Sequence, residues 1–259
     1  TKRRNVSMKN AELKEKYNKI FKEGSDNFFT CNVFHESHKI AGIHNWEGLR
    51  VLDIGCGEGI LPAMIAHAGA KEVIGVDYSE EAIDNANSKF KIPNLKFIAG
   101  DYRNVEDTFD VITMQGVLEH FDEPWEELKN IVDNYLVYDG LVITSSPSFL
   151  NPRGYVWMTL QKLFDIPMSL TDLHYICPFD VEEFCEEWDC VLEYESIHQD
   201  WGGGETMIRD FNKRLRNALR DANMDNSKVD DLLEWLDKAK EYFQPNNDTG
   251  AIVVYRIYK

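Results

Sequence analysis

Asp53, Gly55, Gly57 and Gly59 stand at alternate positions in the run Arg-Val-Leu-Asp-Ile-Gly-Cys-Gly-Glu-Gly, residues 50–59. Positions without a side chain let a ligand approach the backbone closely. A helix starting after Gly59 presents unpaired N–H groups to an anion, a carboxylate as readily as a phosphate. Asp53 supplies the opposite charge for a cation. A ligand that offers both is an amino-acid moiety attached to a nucleoside. Asp77 follows Gly59 by 18 residues. An acid at that place in a strand–helix–strand unit accepts from both hydroxyls of a ribose. The spacing is G-x-G-x-G, with Ile60 where a dinucleotide fingerprint has its third glycine.

These residues need a strand ahead of them and a helix behind. Val51, Leu52 and Ile54 form the apolar run of a buried parallel strand. Ile60, Leu61, Met64, Ile65 and Ala68 recur on one helical face. Further strands are expected at Glu72–Asp77, Leu95–Ala99, 109–114, 140–145, 190–198 and 251–258. Helices are expected at 11–22, 34–43, Glu80–Lys89 (with Ser79 as its N-cap), 124–135 and 180–187. Helical patterns also run through 207–219 and 229–243. Strands alternating with helices predict one doubly wound sheet.

The run Val51–Gly59, apolar-apolar-Asp-x-Gly-x-Gly-x-Gly, resembles motif I of the class I S-adenosylmethionine-dependent methyltransferases. The resemblance covers roughly 49–197 and the last strand. It implies an α/β fold, a doubly wound, seven-stranded, mostly parallel sheet with an antiparallel last strand and helical insertions forming a cap. The implied organisation is an N-terminal helical cap at 1–48, with Tyr17, Phe28 and Phe29 as candidate lining, and a methyltransferase domain at 49–259. Insertions at 146–178 and 201–248 interrupt that domain. The cofactor implied is S-adenosylmethionine, held by Asp53, Gly55, Cys56, Gly57 and Gly59. Asp77 matches the acid that holds the ribose, and Tyr78 beside it suits an adenine face. Asp101 matches the acceptor for the adenine amino group, with Tyr102 next to it. Gln115 closes the fourth strand, where ligands of such sheets bind. Val117-Leu118-Glu119-His120 resembles a run common in small-molecule members, where His120 is either catalytic or structural.

Composition narrows the partners. Acidic residues outnumber basic ones 45 to 28, giving a net charge of −17. That argues against a nucleic-acid partner, whose phosphates attract Lys and Arg. No apolar run approaches the ~20 residues of a membrane span, and no secretory leader pattern is expected. The five cysteines include no C-x-x-C pair, so reduced thiols, a cytoplasmic location and no metal are expected.

The function expected is methyl transfer to an oxygen or nitrogen of a small polar metabolite. The alternatives are a non-catalytic cofactor-binding module with a protein partner, or a nicotinamide-dependent oxidoreductase; the missing third glycine disfavours the last. His174 lies in 146–178, and a histidine can take a proton from the acceptor near neutral pH. The competing reading is a histidine that braces its loop. Tyr155 and Tyr175 are candidates to line the acceptor, and Glu58 and Glu119 are alternative acids. The segment 201–248 opens on Gly202-Gly203-Gly204, a turning joint. It is either a lid that moves over the acceptor or the face of a homodimer.

Overall fold

The computed structural model describes residues 18, 19, 22, 33–168, 174–198 and 203–259. Tyr17, Phe28, Phe29, Asp172 and Gly202 lie outside the described residues, as does most of the 1–48 segment. Strands are β1 (Arg50–Ile54), β2 (Glu72–Asp77), β3 (Leu95–Ala99), β4 (Phe109–Gln115), β5 (Leu136–Pro147), β6 (Val191–Ile197) and β7 (Ile252–Tyr258). Helices are α1 (Val33–Gly42), α2 (Ile60–His67), α3 (Glu80–Lys89), α4 (Pro124–Asn134), α5 (Pro152–Phe164), α6 (Pro178–Trp188), α7 (Glu205–Asp221) and α8 (Val229–Ala239).

The seven strands form one sheet in the order β3-β2-β1-β4-β5-β7-β6. β1 runs parallel to both β2 and β4, and β2 to β3. The last strand runs the other way. Ser148 N–H donates to the Ala251 carbonyl (2.8 Å) and Lys259 N–H to that of Gly140 (3.0 Å), which fixes β7 antiparallel to β5. Ala251 N–H to the His198 carbonyl (3.2 Å) and the Arg256–Glu193 ion pair (3.3 Å) do the same for β7 against β6. The chain divides into two compact units. One holds the chain to Val117, Phe121–Thr144 and Ile257–Lys259; the other holds Leu118–His120 and Ser145–Arg256.

In the first unit, Val51, Leu52 and Ile54 of β1 are buried, as are Leu61, Ala63, Ile65 and Ala66 of α2. α1 packs on α2. Trp46, 1% exposed, pins the link to β1 by donating its Nε1–H to the Ala41 carbonyl (2.7 Å). Ser79 caps α3 as expected, accepting from the Ala82 N–H at 3.1 Å.

The second unit has a core of its own, in which Phe149, Trp157, Met207, Phe211, Leu215 and Leu236 are buried together. Here two sequence expectations need correction. The segment 146–178 is not wholly outside the sheet, because β5 runs from Leu136 to Pro147 rather than over 140–145. Asp139-Gly140 reads as a turn, but Leu136 is buried and Lys259 pairs with Gly140, so the ladder continues. The same segment contains α5, which the expected pattern omitted. Asn151 caps it by accepting from the Gly154 N–H (2.8 Å), and Pro152 opens its first turn. Gly154 is required for packing: a Cβ there would lie 2.3 Å from Phe149 Cα. Of the glycine joint, Gly203 is buried, and a Cβ on it would meet the Phe243 ring at 2.2 Å. A packed glycine of this kind is a fitted contact, not a free swivel.

Candidate active site

The glycine loop folds as the sequence predicts. Gly55, Gly57 and Gly59 all have positive φ, at 72°, 51° and 82°. At Gly55 a Cβ would also strike Val117 at 2.4 Å, and at Gly59 the Phe97 ring at 2.5 Å. The loop therefore accepts no side chain at either end. Gly55 and Cys56 donate to the Val76 carbonyl (2.7 and 3.0 Å), which ties the loop to β2. α2 starts on Gly59 with no side-chain cap and no acid in its first turn. Its leading N–H groups thus remain available to an anionic ligand.

Asp77 ends β2 against that loop. One carboxylate oxygen accepts from the Gly57 N–H (2.9 Å) and the other from the Ser79 N–H (2.8 Å). Each oxygen keeps one lone pair free, so the carboxylate can take two further donors, as a ribose diol requires. Burial pushes Asp77 up, and the two backbone N–H bonds oppose that shift. Asp53 is 2% exposed on β1 and accepts from the Thr113 hydroxyl at 2.5 Å. Burial pushes it up to about 7; Thr113 opposes the shift and the Asp77 charge adds to it. Cys56 contributes backbone to the loop. Its thiol packs toward β2, where a Cβ on Gly75 would lie 3.0 Å from Sγ, and burial raises its pKa well above the ordinary thiol range.

At the adenine end the expectations divide. Tyr78 is half-buried beside Asp101, and burial, with Asp101 next, lifts its phenol to about 12. Asp101 already accepts from the Arg103 N–H (2.9 Å) and guanidinium (2.9 Å), so an adenine amino group would be a third donor. The Tyr102 side chain is taken into the core. It is 2% exposed, packs edge-on against Tyr135 (5.4 Å), donates to Glu127 and accepts from Asn130 (3.2 Å). A tyrosine following the strand-end acid reads as a ring for stacking, but α4 takes this one into the core.

Gln115 accepts from the hydroxyl of Ser37 on α1 (2.7 Å), and Ser37 is 1% exposed. Ser79 donates to Asn18 at 2.6 Å. Sequence reasoning missed both contacts, which put part of the N-terminal segment against the end of β4 and the cap of α3 in the first unit. Glu58 is directed onto α3, where it accepts from Asn85 (3.2 Å) and pairs with Lys89 (3.0 Å).

In the second unit, the 3-10 turn Leu118–His120 carries Glu119, 3% exposed, and His120. The His174 N–H donates to the Glu119 carbonyl at 3.2 Å, which brings these candidate proton carriers together. Tyr175 is a brace rather than a lining. Its hydroxyl accepts from the Met168 N–H (3.1 Å) and donates to Gln161 (3.2 Å), while its ring stands edge-on to Phe149 (4.9 Å). Tyr155 is exposed on α5. No group of three or more metal-binding side chains occurs among the described residues, and no described helix is long and apolar enough to cross a membrane.

With Asp53 as the acid that faces the cofactor's ammonium, cofactor binding is expected to depend on pH. A bound ammonium favours the ionised acid, so a proton competes with the ligand below about pH 7. Affinity for S-adenosylhomocysteine should fall as pH drops from about 8 to about 5.5, by up to ~10-fold per unit below the pKa. Asp53→Asn should bind more weakly and without that slope. Titration calorimetry across the range checks it; a flat wild-type profile refutes a role for this carboxylate in holding the cation.

Comparison with known proteins agrees with this geometry. Residues 51–137 match the model of a family described as a methyltransferase domain. The ubiquinone biosynthesis O-methyltransferase of Coxiella burnetii is 36% identical over 166 residues, covering 59% of this chain and 68% of that one. The protein of the same name from Neisseria meningitidis is 28% identical over 159 residues, or 57% of this chain. The chain spans 66% of that relative's length. A crystal structure of an S-adenosylmethionine-dependent methyltransferase from Archaeoglobus fulgidus superposes with a TM-score of 0.57 at 19% identity, covering 88% of this chain and 93% of that chain. With its glycine loop, strand-end acids and sheet order, this chain belongs to the class I S-adenosylmethionine-dependent methyltransferase family.

Proposed function

We propose that the protein transfers a methyl group from S-adenosylmethionine to a hydroxyl oxygen of a small molecule. The observation that carries this reading is Asp77, held on the N–H groups of Gly57 and Ser79 beside the three-glycine loop. The O-methyltransferase names of the relatives support oxygen as the acceptor atom. Bound here, the cofactor supplies a methyl on a sulfonium, already activated toward a nucleophile. Asp77 would hold the ribose, and the open N–H groups of α2 the amino-acid carboxylate. Holding an acceptor in line can lower such a barrier by roughly 7–11 kcal/mol, so positioning carries most of the work. A base is needed only to remove the hydroxyl proton, and His174, His120 and Glu119 are the groups assigned to that task. The insertions 146–178 and 201–248 are assigned to acceptor recognition, the latter also to a homodimer face.

Asp77→Ala tests the reading. It removes charge-assisted hydrogen bonds worth about 1.5–3 kcal/mol. Affinity for S-adenosylhomocysteine should fall by roughly one to two decades in calorimetry. Unchanged affinity, or tighter binding of NAD by the wild type, would overturn it. Release of S-adenosylhomocysteine and a methoxy product with a panel of hydroxylated metabolites tests the chemistry itself.

A further inference from the structure

The charges of the second unit are sorted by element. No lysine or arginine stands between Lys162 and Arg209, a stretch rich in aspartate and glutamate. Arg209, Lys213, Arg214, Arg216 and Arg220 then follow within α7. Arg214 turns inward to Asp210 (3.1 Å). The other four recur at i, i+4, i+7 and i+11, so they form one row opposite the buried Met207, Phe211 and Leu215. Arg209, Lys213 and Arg220 are exposed, and Arg216 is partly so. Arg216 and Arg220 meet the exposed acids Asp230 and Asp221, in surface pairs of a kind that contributes little. On a chain of net charge −17, such a row of bases is the exception.

Helix α6 is its counterpart in the same unit. Glu182, Glu183, Glu186 and Glu187 cover the exposed side, with Phe179 on the same face, while Val181, Phe184 and Cys185 are buried. Beside them opens a pocket of about 280 Å³, lined by Glu182, Cys185, Glu186, Asp189, Cys190 and Leu192. Its three carboxylates repel an anion and attract a cation. Leu192 and the thiols give it an apolar wall, which suits the alkyl stem of an arginine or lysine whose head reaches the acids. α7 offers four such side chains over about 16 Å of helix, the length of α6. Both faces are exposed within one chain, so what each fits is the other face on a second copy. The net charge opposes association in general. At 0.1 M salt, however, exposed charges more than about 10 Å apart are largely screened, while side chains paired at a contact are not.

We propose that the basic row of α7 docks on the acidic face of α6 in a second copy of this chain, with a basic side chain seated in the Glu182–Glu186–Asp189 pocket. Two such contacts related by a two-fold axis close the pair, where a one-sided contact would run on into an open chain. The test is sedimentation equilibrium of the full chain. The wild type should dimerise in the micromolar range in about 50 mM salt, and at least ~10-fold more weakly in about 500 mM. Arg209→Glu with Lys213→Glu reverses α7, and Glu182→Lys with Glu186→Lys reverses α6. All four residues are exposed, so the melting temperature and the affinity for S-adenosylhomocysteine should not change. Each double variant alone should be monomeric. An equimolar mixture of the two should dimerise, because reversed α7 then meets reversed α6 at both contacts. Phe179→Ala, which alters no charge, should weaken the wild-type dimer about tenfold. A wild type that stays monomeric in low salt overturns the proposal. So does a dimer that the variants leave intact, or a mixture that stays monomeric. The contact does not depend on the methyl-transfer reading: failure to bind S-adenosylhomocysteine would refute that reading and leave the sedimentation result standing.

Discussion

Asp210→Ala should destabilise the protein by about 3–5 kcal/mol. Asp210 is 0% exposed on α7, and Arg153 on α5 is 2% exposed. The guanidinium Nε donates to Asp210 Oδ2 at 2.8 Å, and the Trp157 indole donates to the same oxygen at 3.4 Å. Arg214 pairs with the other oxygen at 3.1 Å. Arg153 also donates to the Met168 sulfur at 3.1 Å. Taking the carboxylate away leaves the buried charge of Arg153 without its counter-ion. That residual charge, rather than the lost attraction, sets the magnitude. The melting temperature should fall by roughly 6–20 °C. Asp210→Asn keeps the shape but not the charge and should lose most of the same stability. Replacing Arg153 by Met and Asp210 by Leu together should recover much of it, because apolar pairs of similar volume often do as well as a buried ion pair. Urea titration of the four proteins checks the set. A loss below about 1 kcal/mol in Asp210→Ala would mean that water reaches the pair in solution.

That ion pair also shows where sequence reading stops. Strand β2, strand β3 and helix α3 were legible to the residue, because their apolar runs end at an acid, a glycine or a capping serine. The loop 55–59 was equally legible, since glycines at that spacing admit few backbone paths. α5 carried a readable start in Asn151-Pro152, but Gly154 looks like a helix breaker until Phe149 is seen against it. Arg153 and Asp210 lie 57 residues apart, and no local pattern distinguishes this buried arginine from the exposed ones on α7. Tyr102 shows the reverse error. Its place after Asp101 suggested a ligand contact, while the partners that draw it inward, Glu127, Asn130 and Tyr135, are more than twenty residues away.

His174→Gln should lower kcat by at least ~100-fold if this imidazole takes the acceptor's proton, since a positioned general base contributes about 10²–10⁴-fold. A backbone contact motivates the test. The His174 backbone is fixed by its N–H bond to the Glu119 carbonyl, and His120 follows one residue later. Three groups able to carry a proton therefore belong to one locality of the second unit. Glutamine can preserve a hydrogen bond but cannot accept a proton at neutral pH. The variant should keep a residual rate from positioning alone. Affinity for S-adenosylhomocysteine should not change, because His174 is absent from the glycine loop and from the bonds around Asp77. Glu119→Gln and His120→Gln separate the candidates. If His174 is the base, neither should lower kcat as far as His174→Gln does. Near wild-type turnover in His174→Gln, together with a ~100-fold loss of kcat in one of the other two, transfers the role to that residue. If all three variants retain the wild-type rate, deprotonation makes no demand on the protein, and methyl transfer depends on how tightly the acceptor is held.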